Sequence, residues 1–268
     1  MLIKAMKSYI CLLLLLTACA NQTKKPYVQA VYPTSEILPE NLLRIYIKFS
    51  QPMKTIGNIE KIKLVDVDGN IMKNVFFNNV NELWNKEQTQ LTLILDPVRV
   101  KTGLKTNGIL GRALKLDQVY TLVIEDLEDV YHQKMNTSFK KSMRIKKADL
   151  TVPSIAAWKL TIPEVNSTNS LVVDFPEMLD YNSLKQRLII TDDKNNPTGG
   201  LISIKRQETQ WNFQPKHPWK EGRYILHVNT RLEDPSGNNL NGLFDHKTGT
   251  LKYPKEGFLE KIPFNIKP

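Results

Sequence analysis

Short runs in which apolar and polar side chains alternate are the feature that most constrains this fold. In LLRIYIKFS (residues 42–50), one face carries Leu43, Ile45, Ile47 and Phe49, and the other carries Arg44, Tyr46 and Lys48. The same period of two recurs in QLTLIL (90–95), SLVVDF (170–175) and RYILHV (223–228). Successive side chains of a β-strand point to opposite faces, so these runs predict strands with one buried face.

The segments between these runs favour tight turns. Clusters of Gly, Pro, Asn and Asp separate the runs, and no helical periodicity longer than three turns follows the N-terminal segment. Short alternating strands separated by turn residues are typical of antiparallel β-sandwiches. The sequence therefore predicts an all-β protein.

The predicted strands occur twice in the same order, which indicates tandem copies of one module. YTLVIEDLED (120–129) matches YILHVNTRLED (224–234), and KIKLVDVDGN (61–70) matches RLIITDDKNN (187–196). The offset falls from 126 between Phe49 and Phe175 to 105 between Leu127 and Leu232, so the first copy carries extra residues, most clearly at 98–115. We predict two domains, at 27–148 and 149–268.

Two segments carry a family resemblance. LPENLLRIYIKFSQPM (38–53) resembles the opening strand of bacterial Ig-like domains of the S-layer type, and LEDPSGNNL (232–240) resembles their late hairpin. The second copy departs from the pattern, with FPEM where the first has Ser-x-Pro-Met. The resemblance, which extends to two-domain bacterial lipoproteins, implies two tandem Ig-like sandwiches and supplies no catalytic residues.

The first 18 residues have the order of a secretory signal. Lys4 and Lys7 precede an apolar run from Ile10 to Leu16, which is followed by the small residues Thr17 and Ala18. That order matches a basic region, a short apolar region and a cleavage site. The run is too short to cross a bilayer, which needs roughly 20 apolar residues. Translation could start at Met1 or at Met6, because either start keeps all three parts.

Residues 16–19, LTAC, resemble the lipobox of bacterial lipoproteins. The resemblance implies cleavage before Cys19, a diacylglyceryl thioether on its sulfur and an acylated amino terminus. Several acyl chains, at about 0.8 kcal/mol per buried CH₂, make such an anchor effectively permanent. Residues 19–26 would form a lipidated tether. The alternative is an ordinary signal peptide with a chance cysteine.

Lipidation would leave the mature chain without a free thiol, because Cys11 leaves with the signal. Disulfides, thiolate zinc sites and cysteine nucleophiles would then be excluded. Ala20 stands where an inner-membrane retention signal usually has Asp, and residues 20–26 contain no acidic run. We therefore expect a bacterial envelope protein on the outer membrane, facing the periplasm. Loss of Lys4 and Lys7 lowers the formal charge from +10 to +8, and a nucleic-acid partner is not expected in that compartment.

The residues that could suggest a metal or catalytic site are better explained as parts of turns and strand ends. Asp66–Asn70, DVDGN, lacks the Gly and Glu spacing of a calcium loop and supplies the positive φ of a strand turn. The four histidines have no metal-ligand spacing, and the acids of IEDLED (124–129) lie at a predicted strand end. We predict no metal, no cofactor and no enzymatic activity.

Two features are candidates for partner binding. The segment DPVRVKTGLKTNGILGR (96–112) is a long loop that bears the basic residues Arg99, Lys101, Lys105 and Arg112. Long loops on sandwiches often carry binding residues. The alternative is a crossover between the two sheets whose charges only increase solubility. Trp211 and Phe213 share a predicted core face, whereas Trp219 lies in a turn and is expected to be exposed.

These features predict a lipid-anchored envelope protein with a non-catalytic binding or scaffolding role. The expected partner is another envelope protein or an anionic glycan, contacted through the basic loop. The alternatives are a carbohydrate- or polymer-binding accessory lipoprotein that uses Trp219 and, less well supported, an enzyme with a site at the domain interface.

Overall fold

The computed structural model of this chain describes residues 24–77, 82–101, 111–245 and 259–268. The predicted signal peptide, the predicted lipidation site Cys19 and Lys105 lie outside the described residues. Residues 24–27 have no regular structure, and the first strand begins at Val28.

The first half contains eight described strands in two sheets. In chain order they are β1 (Val28–Tyr32), β2 (Ile37–Pro39), β3 (Arg44–Phe49), β4 (Ile62–Val65), β5 (Leu83–Trp84), β6 (Gln90–Ile94), β7 (Val119–Ile124) and β8 (Phe139–Lys146). One sheet has the order β1-β3-β6-β5 and the other β2-β8-β7-β4.

The second half contains seven described strands in two sheets. They are β9 (Lys159–Thr161), β10 (Leu171–Asp174), β11 (Leu188–Asp192), β12 (Gly200–Lys205), β13 (Gln210–Pro215), β14 (Gly222–Asn229) and β15 (Leu259–Ile266). The sheets have the orders β9-β10-β13-β12 and β11-β14-β15.

Both halves have the strand order of the immunoglobulin fold. If strands are lettered along the chain, each half pairs A-B-E-D in one sheet and C-F-G in the other, which is the constant-type arrangement. In the first half an additional short strand, β2, pairs in parallel with β8, whereas the other strand pairs are antiparallel. The predicted fold class, two tandem Ig-like antiparallel sandwiches, is confirmed.

Each sandwich encloses its own hydrophobic cluster. The first cluster contains buried side chains between Val28 and Ile145, and the second contains side chains between Trp158 and Ile266. The predicted core residues Trp211 and Phe213 both lie in the second cluster, where their rings stack at 5.8 Å. The alternating pattern is thus explained by burial between facing sheets.

Helical structure in the described residues is confined to short connections. These are η1 (Ile59–Lys61), α1 (Pro97–Val100), η2 (Ile155–Ala157) and α2 (Tyr181–Gln186). Asp180 caps α2 by accepting a hydrogen bond from the Ser183 N–H at 2.8 Å. Within the described part of the chain, no helix has the length and apolar character needed to cross a membrane.

One turn type recurs after the C and F strands of both sandwiches. The first residue is Asp66, Asp129, Asp192 or Asp234, and its Oδ1 accepts the backbone N–H groups two and four positions later at 2.7–3.0 Å. The fourth residue always has positive φ, between 62° and 83°. DVDGN is therefore a strand turn, as predicted, and the second late hairpin, LEDPSGNNL, uses the same device.

A tyrosine corner marks strand F in both sandwiches. Tyr120 Oη accepts a hydrogen bond from the Lys115 N–H at 3.3 Å, and Tyr224 Oη donates one to the Lys220 carbonyl at 3.3 Å. A tyrosine near the start of strand F that bonds to backbone a few residues upstream is a hallmark of the immunoglobulin fold. The two tyrosines hold matching positions in the internal repeat.

The four related turns offer a matched test of burial. Asp129 is fully buried and its Oδ2 also accepts from Gln51 Nε2 at 2.6 Å, whereas Asp66 makes the same turn at the surface. Asp129→Ala should lower the free energy of unfolding by about 2–3 kcal/mol, because it leaves buried hydrogen-bond donors without an acceptor and creates a cavity.

Asp66→Ala removes the same local bonds and serves as the control. Its donors can bond to water, so we expect a clearly smaller loss. Denaturant unfolding of both variants measures the difference, and equal losses would contradict the role assigned to burial.

Candidate functional site

The outer face of the first sandwich is covered by the second at strand β3. The sequence pattern places Arg44 and Tyr46 on the outer face, yet Tyr46 is only 4% exposed. Its hydroxyl donates to Asp180 Oδ2 at 2.8 Å, and Arg44 forms a salt bridge with Glu233. This part of the outer face is therefore an interface between the sandwiches, which we call the junction.

The second sandwich contributes the loops at one of its ends to the junction. They are the B–C loop with α2, the D–E turn and the F–G loop, which supply Asp180, Glu208 and Glu233 respectively. In antibody variable domains, the B–C and F–G loops at the same end form part of the binding surface. Here these loops bind the neighbouring sandwich of the same chain.

Glu208 and the tyrosine rings complete the centre of the junction. Glu208 is 2% exposed, and its carboxylate accepts from the Thr34 N–H at 2.9 Å and from Thr34 Oγ1 at 2.8 Å. Tyr32 stacks on Tyr181 with ring centroids 3.6 Å apart and an interplanar angle of 12°. Buried polar groups that are paired in this way impose a specific relative orientation on the two sandwiches.

Burial perturbs the titration of these groups. Desolvation raises the pKa of Glu208, Asp180 and Glu233 above the usual carboxylate range, and hydrogen bonds from Thr34, Ser183 and Tyr46 oppose the rise at the first two. Burial, and then the nearby Asp180 charge, raise the pKa of the Tyr46 hydroxyl. Perturbed groups of this kind occur in catalytic sites and also in structural networks.

A second polar cluster lies beside the linker between the halves. Asn41 exchanges hydrogen bonds with the backbone of Asp149, donating to its carbonyl and accepting from its N–H, both at 2.9 Å. Asn41 Oδ1 also accepts from Ser236 Oγ at 3.0 Å, and Asn238 Nδ2 donates to the Asp149 carbonyl at 3.1 Å. The linker is thereby tied to both sandwiches.

Three carboxylates meet at this cluster. Asp149, Glu177 and Asp234 each place a carboxylate oxygen within 4.8 Å of the others. In the repeat, Glu177 occupies the position of Gln51, whose amide donates to Asp129 at 2.6 Å. The second copy therefore sets an acid beside the turn carboxylate where the first has a donor.

Carboxylate oxygens suit a hard cation such as Ca²⁺, but a bound proton also relieves the repulsion. Burial, and then the Asp149 charge, raise the pKa of Asp234 to about 8. Burial, and then Asp149, raise the pKa of Glu177 as well, while Lys146 opposes the rise. Hydrogen bonds from Ser236 and Asn238 to the Asp234 oxygens favour the ionised carboxylate and oppose the rise in its pKa, so burial and the Asp149 charge are the reasons to place a proton at this cluster.

A cleft of about 480 Å³ opens at the edge of the junction. One wall comes from the β5–β6 hairpin of the first sandwich and includes Trp84, Gln90 and Thr92. The other comes from α2 of the second and includes Asn182, Lys185 and Gln186. Gln90 Nε2 donates to Asn182 Oδ1 at 3.1 Å and so links the two walls. No sequence pattern indicates this cleft, because its walls lie about 90 residues apart in the chain.

Arg99, predicted to be a partner-binding residue, is buried. It is 9% exposed, and its guanidinium donates to the carbonyls of Asn74 at 2.9 Å, Gly111 at 3.2 Å and Arg112 at 3.3 Å. The expectation that this side chain is available at the surface is wrong. A guanidinium has five N–H donors in a fixed planar arrangement. Here it links Gly111 and Arg112 to Asn74, which lies in the segment after β4.

The other basic residues of this segment are also engaged where they are described. Arg112 forms salt bridges with Glu40 at 3.5 Å and Asp245 at 3.9 Å and donates to the Val100 carbonyl at 3.1 Å. The Lys101 amine lies 4.6 Å from the centre of the Phe244 ring. Lys105 lies outside the described residues, so the role predicted for it stays a prediction.

Trp219 was expected to be exposed, and this expectation is wrong. The residue is 2% exposed, its Nε1 donates to the Asn169 carbonyl at 2.8 Å, and its ring contacts Tyr224 and Phe264 edge-on. The turn around it folds the indole into the second core. Trp219 therefore offers no surface for stacking a sugar.

No protein-family model matches this chain, and no curated protein gives a significant match. Similar solved structures include the N-terminal part of the bacterial S-layer protein SbsC, with 13% identity, a TM-score of 0.30, and coverage of 77% of this chain and 40% of that one.

Two further solved structures are similar at the same level. Native alpha-2-macroglobulin from Escherichia coli spanning domains MG0-NIE-MG1 has 11% identity, a TM-score of 0.29, and coverage of 77% of this chain and 67% of that one. The N-terminal Ig1-2 module of the Drosophila receptor protein tyrosine phosphatase DLAR has 9% identity, a TM-score of 0.27, and coverage of 78% and 93%. Similarity this low says nothing of function, and the fold assignment rests on the strand order of the chain itself.

The salt bridge at the junction leads to a stability prediction. Arg44→Met should lower the free energy of unfolding by about 2 kcal/mol, because it leaves Glu233 unpaired at a site with little water. The loss should be smaller than for a fully buried pair, since the two side chains keep 27% and 23% of their exposure.

Adding Glu233→Gln to that variant should recover part of the lost unfolding free energy, because the unpaired Glu233 charge is removed. Denaturant unfolding measures both changes. A double variant no more stable than Arg44→Met would contradict the importance of the pair.

The carboxylate cluster leads to a pH prediction. Burial raises the pKa of Asp234 to about 8 in the folded chain, whereas the pKa of an aspartate in the unfolded chain is about 3.9. The stability contributed by this proton is complete below the unfolded pKa, and stability falls as the pH rises toward the folded pKa. Asp234→Asn should therefore flatten the decline in unfolding free energy between pH 5 and pH 8.

Asp192→Asn is the matched control for that experiment. Asp192 makes the same turn at the surface, and the hydrogen bonds from Asn196 lower its pKa. Asp192 is therefore ionised throughout the tested pH range, so Asp192→Asn should not change the slope of unfolding free energy against pH. An unchanged slope in Asp234→Asn would overturn the shared-proton interpretation.

Proposed function

We propose that this chain is a lipid-anchored envelope protein with a non-catalytic binding or scaffolding role, performed by two Ig-like sandwiches that act as one rigid unit. The observation that supports this proposal is the junction. Its buried contacts, Tyr46 to Asp180, Arg44 to Glu233 and Thr34 to Glu208, fix the orientation of one sandwich on the other. Modules joined in this way keep the geometry of any surface that they form together.

The positions of the perturbed carboxylates favour a structural role over catalysis. A catalytic acid or base must lie within reach of a substrate in a cleft. Asp180, Glu208 and Glu233 instead bond to groups of the junction, and none of them lines the cleft between β5–β6 and α2. Their raised pKa values follow from burial between the two sandwiches, as structural networks also produce.

The proposed domain division is supported by the two hydrophobic clusters. The boundary near residue 148 falls after β8 ends at Lys146 and before β9 begins at Lys159. The first strand starts at Val28, immediately after the proposed tether of residues 19–26. This spacing would hold the first sandwich close to the outer membrane, on its periplasmic side, with the second sandwich fixed upon it.

The anchor is tested by Cys19→Ser. In the native host this variant should incorporate no labelled fatty acid and should leave the membrane fraction, because the thioether requires the sulfur. Labelling and fractionation of intact cells measure both effects.

Cys11→Ser is the control, since Cys11 lies within the signal and should not affect lipidation. Unchanged membrane retention of Cys19→Ser would overturn the lipid-anchored role, whatever the two sandwiches bind.

A further inference from the structure

The cleft at the junction has a fixed aromatic wall. Trp84 Nε1 donates to Glu82 Oε2 at 2.7 Å, and one side of the indole lies against Phe49 with ring centroids 5.5 Å apart. Glu82 is itself held by the N–H groups of Asn58 and Ile59, which donate to Oε1, both at 2.9 Å. The indole is thus oriented before any ligand arrives, which lowers the entropic cost of binding.

The cleft also contains polar groups with unused hydrogen-bonding capacity. Within the described residues, the side chains of Thr92 and Gln186 make no hydrogen bond. The Lys185 amine lies 5.5 Å from the Tyr181 ring centre and, in the described part of the chain, forms no salt bridge. Gln90 and Asn182 use one amide group each in bonding to one another, so the Gln90 Oε1 and the Asn182 amide protons have no other partner among the residues that the structure describes. Donors and acceptors therefore surround one aromatic surface.

We propose that this cleft binds an uncharged oligosaccharide. A pyranose ring has an apolar C–H face that can lie on an indole and a rim of hydroxyl groups that both donate and accept. Amide, hydroxyl and amine groups on the opposite wall are complementary to such a rim. This inference rests on the proposed binding role and names the ligand class for it.

The balance of charge in the cleft favours a neutral sugar. The ionisable side chains that line it are Lys185 and Glu87, one of each sign. Glu87 accepts a hydrogen bond from Asn85 Nδ2 at 2.9 Å and adds negative charge beside the aromatic wall. A uronate or phosphate would have a single cation to pair with and would lie near this carboxylate, whereas hydroxyl and N-acetyl groups can bond to both residues.

The site depends on the junction because its walls belong to different sandwiches. Asn182, Lys185 and Gln186 lie on α2, whose capping residue Asp180 binds Tyr46 of β3. The bond between Gln90 and Asn182 closes the floor between the walls. The contacts that orient the two sandwiches therefore also set the width of the cleft, which is a reason for a binding protein to fix its modules rigidly.

Binding can be measured by titrating the soluble chain, residues 24–268, with an N-acetylglucosamine tetramer, a glucose tetramer and a uronate tetramer. Trp158, Trp211 and Trp219 are buried, so the partly exposed Trp84 is positioned to report ligand in its fluorescence. We expect at least one neutral tetramer to change the emission and to bind by calorimetry. Trp84→Phe should remove the emission change, which locates the ligand at this wall.

Lys185→Ala combined with Gln186→Ala should weaken that binding about tenfold, the equivalent of one lost hydrogen bond. Both side chains are exposed on α2, so the fold should persist, and its circular dichroism and unfolding midpoint verify this. Lys159→Ala removes an exposed lysine from β9, away from the cleft, and should leave affinity unchanged.

Three results would overturn the inference. In the first, neither neutral tetramer binds at millimolar concentration. In the second, the variant with Lys185→Ala and Gln186→Ala binds as tightly as the unchanged chain. In the third, only the uronate tetramer binds. Each result would leave the lipid-anchored scaffolding role standing, because membrane retention and junction stability are measured independently of any sugar. Release of Cys19→Ser from the membrane, in turn, would not depend on the cleft.

Discussion

The contacts of Tyr46 and Arg44 with the loops of the second sandwich are the interactions on which the rest of this structure depends. Each sandwich has its own hydrophobic cluster and could in principle stand alone. They are joined into one unit by polar side chains that lose water when the sandwiches meet and by Met178 and Phe244, which pack against the first cluster. The polar groups are costly to bury unpaired, so they are satisfied only in one relative orientation.

The two copies of the module have diverged where their surroundings differ. The first copy places Gln51 beside the turn carboxylate of Asp129, and the amide satisfies it directly. The second places Glu177 beside Asp234, with Asp149 from the linker close by. Three carboxylates this close together repel one another when ionised, and burial raises the pKa of Asp234 to about 8. We therefore expect the linker region beside the second copy to respond to pH.

Sequence patterns predicted the fold well and the functional surface poorly. The alternation of residues such as Ile45, Ile47 and Phe49 depends only on the geometry of a strand. The internal repeat is recognised by comparing one half of the sequence with the other. Neither signal depends on tertiary contacts. By contrast, Arg99 and Trp219 were judged by their position in turns and basic segments. A turn can fold its side chain inward, as at Trp219, and a basic loop can satisfy its own carbonyls, as at Arg99. Neither outcome follows from local sequence, because both depend on which backbone lies nearby.

The sequence by itself determined the class of fold, the two copies, the turn at DVDGN and the cysteine at which an anchor is proposed. These features are local or are seen by comparing the two halves of the sequence, and they depend on side-chain period, turn residues and spacing. Only the tertiary structure decided that the outer face of β3 is buried, that the loop end of the second sandwich is used internally, and that Trp84 faces α2 across a cleft. Those facts bring together residues about 90 to 190 positions apart. Their proximity results from the docking of one sandwich on the other, which no single strand or turn specifies.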